Sequence, residues 1–171
     1  MQARARLFGH PIHQMLIVFP LGLLATAAVF DIIHLTTGNP QWAEIAFWMI
    51  AAGIVGGLLA AVFGFVDWLG IARGTRAKRI GAVHGLGNVL VVGLFGASWL
   101  LRGDAPAAPD TAALVLSFAG VGLALFTAWL GGELVDRLGV GVDEGANVNA
   151  PSSLSGRPAI EGASGRMAPT R

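Results

Sequence analysis

"VHGLGNVLVVGLFGASWLL", from Val83 to Leu101, contains no Asp, Glu, Lys or Arg. A helix that crosses a bilayer needs about 20 predominantly apolar residues, and this run supplies them without a charge. Outward from it lie three stretches of the same kind, at about residues 45–71, 112–135 and 15–35. The stretch over 45–71 is long enough to tilt. The connections read "TTGNPQWAE", "ARGTRAKRIGA" and "RGDAPAAPD". They are short and rich in turn formers, so successive helices must run antiparallel. The expected fold is all-α, an antiparallel bundle of four transmembrane helices within residues 1–142.

Composition agrees. The chain has 171 residues, 54% of them hydrophobic and 12% charged, with a mean hydropathy of +0.68. A soluble domain carries about 25% charged residues, so much of this surface is shielded from water. There are no cysteines. Disulfides, cysteine-ligated iron–sulfur clusters and covalently attached c-type haem are therefore excluded, and a redox cofactor would have to be held by histidine. The net charge of +1 makes no case for a nucleic-acid partner; the expected surroundings are the lipid bilayer. No G-x-S-x-G, P-loop or H-E-x-x-H motif occurs, which argues against hydrolase or kinase chemistry.

Lys and Arg set the orientation. Arg4 and Arg6 precede the first stretch, Arg73, Arg76, Lys78 and Arg79 fill the second connection, and Arg137, Arg157, Arg166 and Arg171 follow the fourth; Arg102 alone falls on the other side. Both termini are expected in the cytoplasm, with the protein in the bacterial inner membrane. A cleaved signal peptide is the rival for the N-terminus, but the apolar stretch is too long for one and runs past the "ATA" that resembles a cleavage site. From Asp143 to Arg171 the chain turns polar and rich in Pro and Gly, as disordered segments are; a disordered cytoplasmic tail is expected.

Lipid offers no hydrophobic drive between helices, so small residues must let them approach. Gly56, Ala60 and Gly64 in the second stretch, Gly120, Ala124, Ala128 and Gly132 in the fourth, and Gly81 and Gly85 in the third recur at four-residue spacing. They fit packing within one chain, a homodimer interface, or room for a flat cofactor. Pro20 and Gly22 are set to kink the first helix. Trp42, Trp48, Trp68 and Trp99 fall near the ends, as interfacial anchors do. "FVDWLG" (65–70) and "FTAWLG" (126–131) echo each other, as a duplicated helix pair would.

Topology gathers the polar residues. His10 and His13 open the first helix, Asp67 lies near the end of the second, His84 and Asn88 share a face of the third, and Glu133 and Asp136 close the fourth. All should lie in one layer at the cytoplasmic end. Ionisable groups within spans usually face the bundle interior and mark function. Pro11 suits a first helical turn, which would let both His10 and His13 face one volume. Asp31 and His34, three apart at the opposite end, are expected to contact each other locally. Each of these residues also has a plain structural reading, as a cap, an interhelical hydrogen bond or an interfacial charge.

At these residues the chain resembles an uncharacterised family of predicted bacterial membrane proteins, the domain of unknown function 2231. "GHPIHQMLIVFPLGLL" (9–24), "FGFVDWL" (63–69), "HGLGN" (84–88) and "WLGGELVDRLGVGV" (129–142) carry the resemblance, in that order. It implies four spans and a redox association, because relatives are fused to Rieske-type or cytochrome domains. Family members often have Tyr at the position of Asp136, which argues against Asp136 as an essential group.

Three functions remain open on this reading. A b-type haem would be ligated by His13 and His84 from diagonal helices, with Asn88 nearby, Gly81, Gly85 and Gly87 giving space and Arg73, Arg76 and Arg79 meeting the propionates. A transition-metal ion would be held by His10, His13, Asp67, His84 and Glu133. A non-catalytic anchor or assembly subunit would use the polar layer only to fix the helices and dock a soluble or membrane redox protein. A transporter is less favoured, since no pair of discontinuous helices is evident.

Overall fold

The computed structural model describes residues 1–166. Four helices are long and apolar enough to cross a membrane: Ile12–Thr37, Pro40–Gly70, Arg76–Arg102 and Thr111–Arg137, here spans 1 to 4. They overrun the apolar stretches because polar caps extend them. The Asn39 side chain accepts from Gln41 N with Pro40 in the first turn, Thr75 accepts from Lys78 N, and Asp110 accepts from Ala113 N. Each cap satisfies a backbone donor the helix leaves free.

Span 1 differs from expectation at its start. Pro11 is extended (ψ 121°) and the helix begins at Ile12. His10–Pro11 pairs antiparallel with Arg6–Leu7 around a turn at Phe8 and Gly9, whose φ angles are 51° and 85°. Pro20 has no N–H to offer the Leu16 carbonyl, yet the chain stays helical there: Ile17 has φ −61° and ψ −19°, its N donates to His13 O and its carbonyl accepts from Leu21 N, both at 3.1 Å. At the other terminus, span 4 ends in a π-helical turn over Glu133–Arg137, closed by Leu138 N donating to Glu133 O.

Spans 1 and 2 pack as one hairpin and spans 3 and 4 as another, and contacts of span 2 with span 3 and of span 1 with span 4 close the ring. Spans 1 and 3 therefore face each other across the diagonal. Between them lies a core of Leu24, Ala27, Ala46, Ile50, Val91 and Phe95. Leu24 fills the notch at Gly53 and Phe95 the notch at Gly120, where a Cβ would come within 2.6 and 2.8 Å of them. Outside, Val18, Phe19, Val55, Leu58, Val62, Leu86, Val89 and Leu125 are exposed. That is the surface of a bundle solvated by lipid.

The two hairpins are related by an internal repeat, although not in the register of "FVDWLG" and "FTAWLG". A shift of 71 residues carries His13, Leu24 and Asp31 of span 1 onto His84, Phe95 and Arg102 of span 3. A shift of 67 carries Ala46, Gly53, Ala60 and Gly64 of span 2 onto Ala113, Gly120, Thr127 and Gly131 of span 4. These positions make matching contacts, whereas the short echo pairs residues six positions away from that register. The second hairpin is shorter by the difference of the shifts, about one helical turn.

The N-terminus and the residues that follow span 4 lie at one end, where the Met1 amino group donates to Gly139 O at 2.9 Å, called here the terminal end. The extended N-terminal segment crosses it: Asp67 Oδ1 accepts from Arg4 N at 2.7 Å and Ala5 N at 2.9 Å. Beyond Asp143, which meets Arg6 at 2.7 Å, the polar tail makes turns and short 3-10 helices at Ser153–Ser155 and Ala159–Arg166. The tail residues after Arg166 lie outside the described ones.

Candidate cofactor site between His13 and His84

His13 and His84 meet at the terminal end, their ring centroids 6.4 Å apart and their planes at 89°. Each is held in the same way. His13 Nδ1 lies 2.8 Å from the Ala60 carbonyl, and His84 Nδ1 lies 2.9 Å from the Thr127 carbonyl. A carbonyl only accepts, so each Nδ1 carries a proton, and in the neutral ring Nε2 is then the atom with the lone pair.

Glycine makes the approach possible. One turn beyond each acceptor stands Gly64 or Gly131. A Cβ at Gly64 would fall 2.8 Å from His13 Nδ1, and one at Gly131 would fall 3.2 Å from His84 Cε1. The residue beneath the His84 ring is Gly131 and not Gly132, the member of the four-residue series of small residues. Asn88 completes the cluster. Its Nδ2 donates to the His84 carbonyl at 2.9 Å and lies 3.3 Å from His84 Nε2, while Thr127 Oγ1 donates to its Oδ1 at 3.1 Å. Of the glycines expected to give space, Gly81 packs on Trp68, Gly87 packs on Thr127, and Gly85 has nothing within 4 Å of its would-be Cβ.

The other residues of the expected layer are elsewhere. His10 is exposed on the two-residue strand, with Nε2 3.3 Å from Ser153 Oγ, because the extended Pro11 turns it away from His13. Asp67 is occupied by the backbone donors of Arg4 and Ala5. Glu133 pairs with Arg76 at 2.7 Å, and Asp136 is exposed. The structure brings together His13, His84 and Asn88, and it keeps His10, Asp67 and Glu133 apart from them. Among the described residues no three His, Cys, Asp or Glu side chains could hold a metal ion.

A second polar cluster, at the far end, was not expected. Arg102 Nη1 and Nη2 each donate at 2.7 Å to Asp31 Oδ1 and Oδ2, and both side chains are 0% exposed. Ser117 Oγ donates to Asp31 Oδ2 at 3.0 Å, Arg102 Nε donates to Ser98 Oγ at 3.3 Å, and Ser98 Oγ donates to Ala113 O at 2.7 Å. The expected contact of Asp31 with His34 is replaced by this pair. His34 Nδ1 instead bonds Asn39 O at 3.0 Å. Arg102, which the charge pattern assigned to a loop, is thus inside the bundle. The signal in the sequence was its isolation: it is the one cation at that end, and Asp31 is the one acid of span 1.

Two neutral imidazoles protonated at Nδ1 can ligate a metal through Nε2, at His84 in place of its contact with Asn88. With metal–nitrogen bonds of about 2.0–2.1 Å, opposed ligands would place their ring centroids roughly 6 Å apart; the centroids of His13 and His84 are 6.4 Å apart. Compared with known proteins, residues 9–144 match a family model described as "Predicted membrane protein (DUF2231)". No curated protein and no solved structure matches.

Proposed function

The chain belongs to the DUF2231 family of predicted membrane proteins, and we propose that it is a membrane redox module in which His13 and His84 hold a b-type haem. The observation that carries this reading is the matched pair of imidazoles, each with Nδ1 donating to a backbone carbonyl of the neighbouring span. That hydrogen bond fixes the ring and the tautomer and makes Nε2 a better ligand. A porphyrin brings four nitrogens of its own and asks the protein for two axial ligands. A bare zinc, iron or manganese ion asks for more, and His10, Asp67 and Glu133 are committed elsewhere. The donor set therefore favours haem over a metal ion.

In this reading the haem supplies one-electron chemistry, and the chain supplies position. Ala60 and Thr127 aim the two rings. His13 and His84 would hold the haem through Nε2, and Asn88 would then give up its contact with His84 Nε2. The exposed Arg73 and Arg79 offer cations to the propionates and to a soluble or membrane redox partner. The density of Lys and Arg supports a terminal end in the cytoplasm and a place in the bacterial inner membrane.

The test is a haem titration of the detergent-purified protein. The expected result is a Soret band at one haem per chain with the spectrum of six-coordinate iron, lost in His13→Ala and in His84→Ala. A protein that takes up no haem overturns the reading. The edge-to-face contact of the rings favours a second one, in which the histidines are only ties between spans of an anchoring subunit. Replacing His10, His13 and His84 together by alanine would then leave assembly with the partner intact.

A further inference from the structure

The internal repeat places a second pair on the same diagonal as the histidines. Asp31 and Arg102 stand at equivalent positions of spans 1 and 3, as His13 and His84 do, and in each span the two polar residues are 18 apart. Eighteen residues are five helical turns, about 27 Å, so both polar residues of a span face the axis between the hairpins. What lies between is apolar: Leu24, Ala27, Val91 and Phe95. Apolar burial is non-directional. The bidentate bond of Arg102 to Asp31 is directional. It is braced by Ser98 on span 3 and by Ser117 on span 4.

Fixing one end of two rigid helices sets their relative depth and rotation at the other end. We propose that Asp31 and Arg102 are positioning residues, which set spans 1 and 3 so that His13 and His84 meet across the diagonal. The inference rests on His13 and His84 being the site, but not on what they bind. It also accounts for a charge pair buried in the bundle at a point remote from the site. Such a pair is weak evidence for stability by itself, and register is its best-attested use.

The chain has no cysteine, so a thiol pair reports the His13–His84 separation without background. In the full chain in phosphatidylethanolamine–phosphatidylglycerol vesicles, His13→Cys with His84→Cys is treated with a short bis-maleimide, and intramolecular cross-linking is followed by mass. With Asp31 and Arg102 present, the cross-link forms quickly. Asp31→Leu with Arg102→Leu slows it about tenfold or more, the scale on which proximity reactions lose rate when geometry loosens. The exchanged pair, Asp31→Arg with Arg102→Asp, keeps the fork and both charges and loses only the serine braces, since Ala27 and Ile50 stand where the repeat would need Ser98 and Ser117, so it restores much of the native rate. Arg102→Lys, which keeps the charge and loses the fork, also slows the reaction. The last two variants decide the matter if the leucine pair fails to fold. Native rates in the leucine or lysine variant, or an exchanged pair as slow as the leucine pair, overturn the proposal. Haem is absent from this measurement, so a failed haem titration and a failed cross-linking result are read separately.

Discussion

Replacing Gly64 by alanine tests the notch that seats His13. The new methyl would lie 2.8 Å from the ring's Nδ1 and Cε1, closer than carbon and nitrogen tolerate. The ring is the end of a side chain and can swing away, but doing so breaks its 2.8 Å bond to the Ala60 carbonyl. His13 is half-buried, and an N–H left without a partner away from water costs about 1–3 kcal/mol. Alanine in place of glycine regains about 1 kcal/mol of helix propensity, so Gly64→Ala should be neutral to destabilising by about 2 kcal/mol. Gly122 is the control, because nothing lies within 4 Å of its would-be Cβ. Gly122→Ala should keep the whole propensity gain, about 1 kcal/mol. The gap between the two variants is then about 1–3 kcal/mol. It is read from reversible unfolding in mixed micelles followed by helix circular dichroism. Gly131→Ala should behave like Gly64→Ala but more mildly, since its contact with His84 is 3.2 Å. Equal stabilities for Gly64→Ala and Gly122→Ala would refute the reasoning.

Arg102→Ala and Arg76→Ala remove cations from ion pairs of the same 2.7 Å length and should differ widely in cost. The first strands a fully buried carboxylate, at about 3–5 kcal/mol; the second breaks a pair whose arginine is 54% exposed, worth under about 1 kcal/mol, and the same unfolding measurement compares them. Asp67→Ala removes the acceptor of Arg4 N and Ala5 N, so limited trypsin digestion should cut after Arg4 and Arg6 much faster than in the native protein, with the four spans left intact.

The spans were legible because hydropathy and length are local properties. So was their antiparallel order, because short polar connections permit no other. The meeting of His13 with His84 could also be anticipated, since helices of fixed order in a square put the first and third on a diagonal. What could not be read was rotation about each helix axis. These helices are apolar nearly all round, so periodicity does not say which face turns inward.

That is why His10, Asp67 and Glu133 looked like members of one site: they share a depth, but a two-residue strand and two separate sets of hydrogen bonds take them out of it. The same gap hid Asp31 and Arg102, which are 71 residues apart and meet only once the hairpins are packed. Chain order and apolar length by themselves determined four antiparallel spans with both termini at one end. Only the tertiary structure decided which glycines receive a ring, which carbonyls hold the imidazoles and which charges pair, because in lipid those choices rest on close contact between helices and leave little trace in local composition.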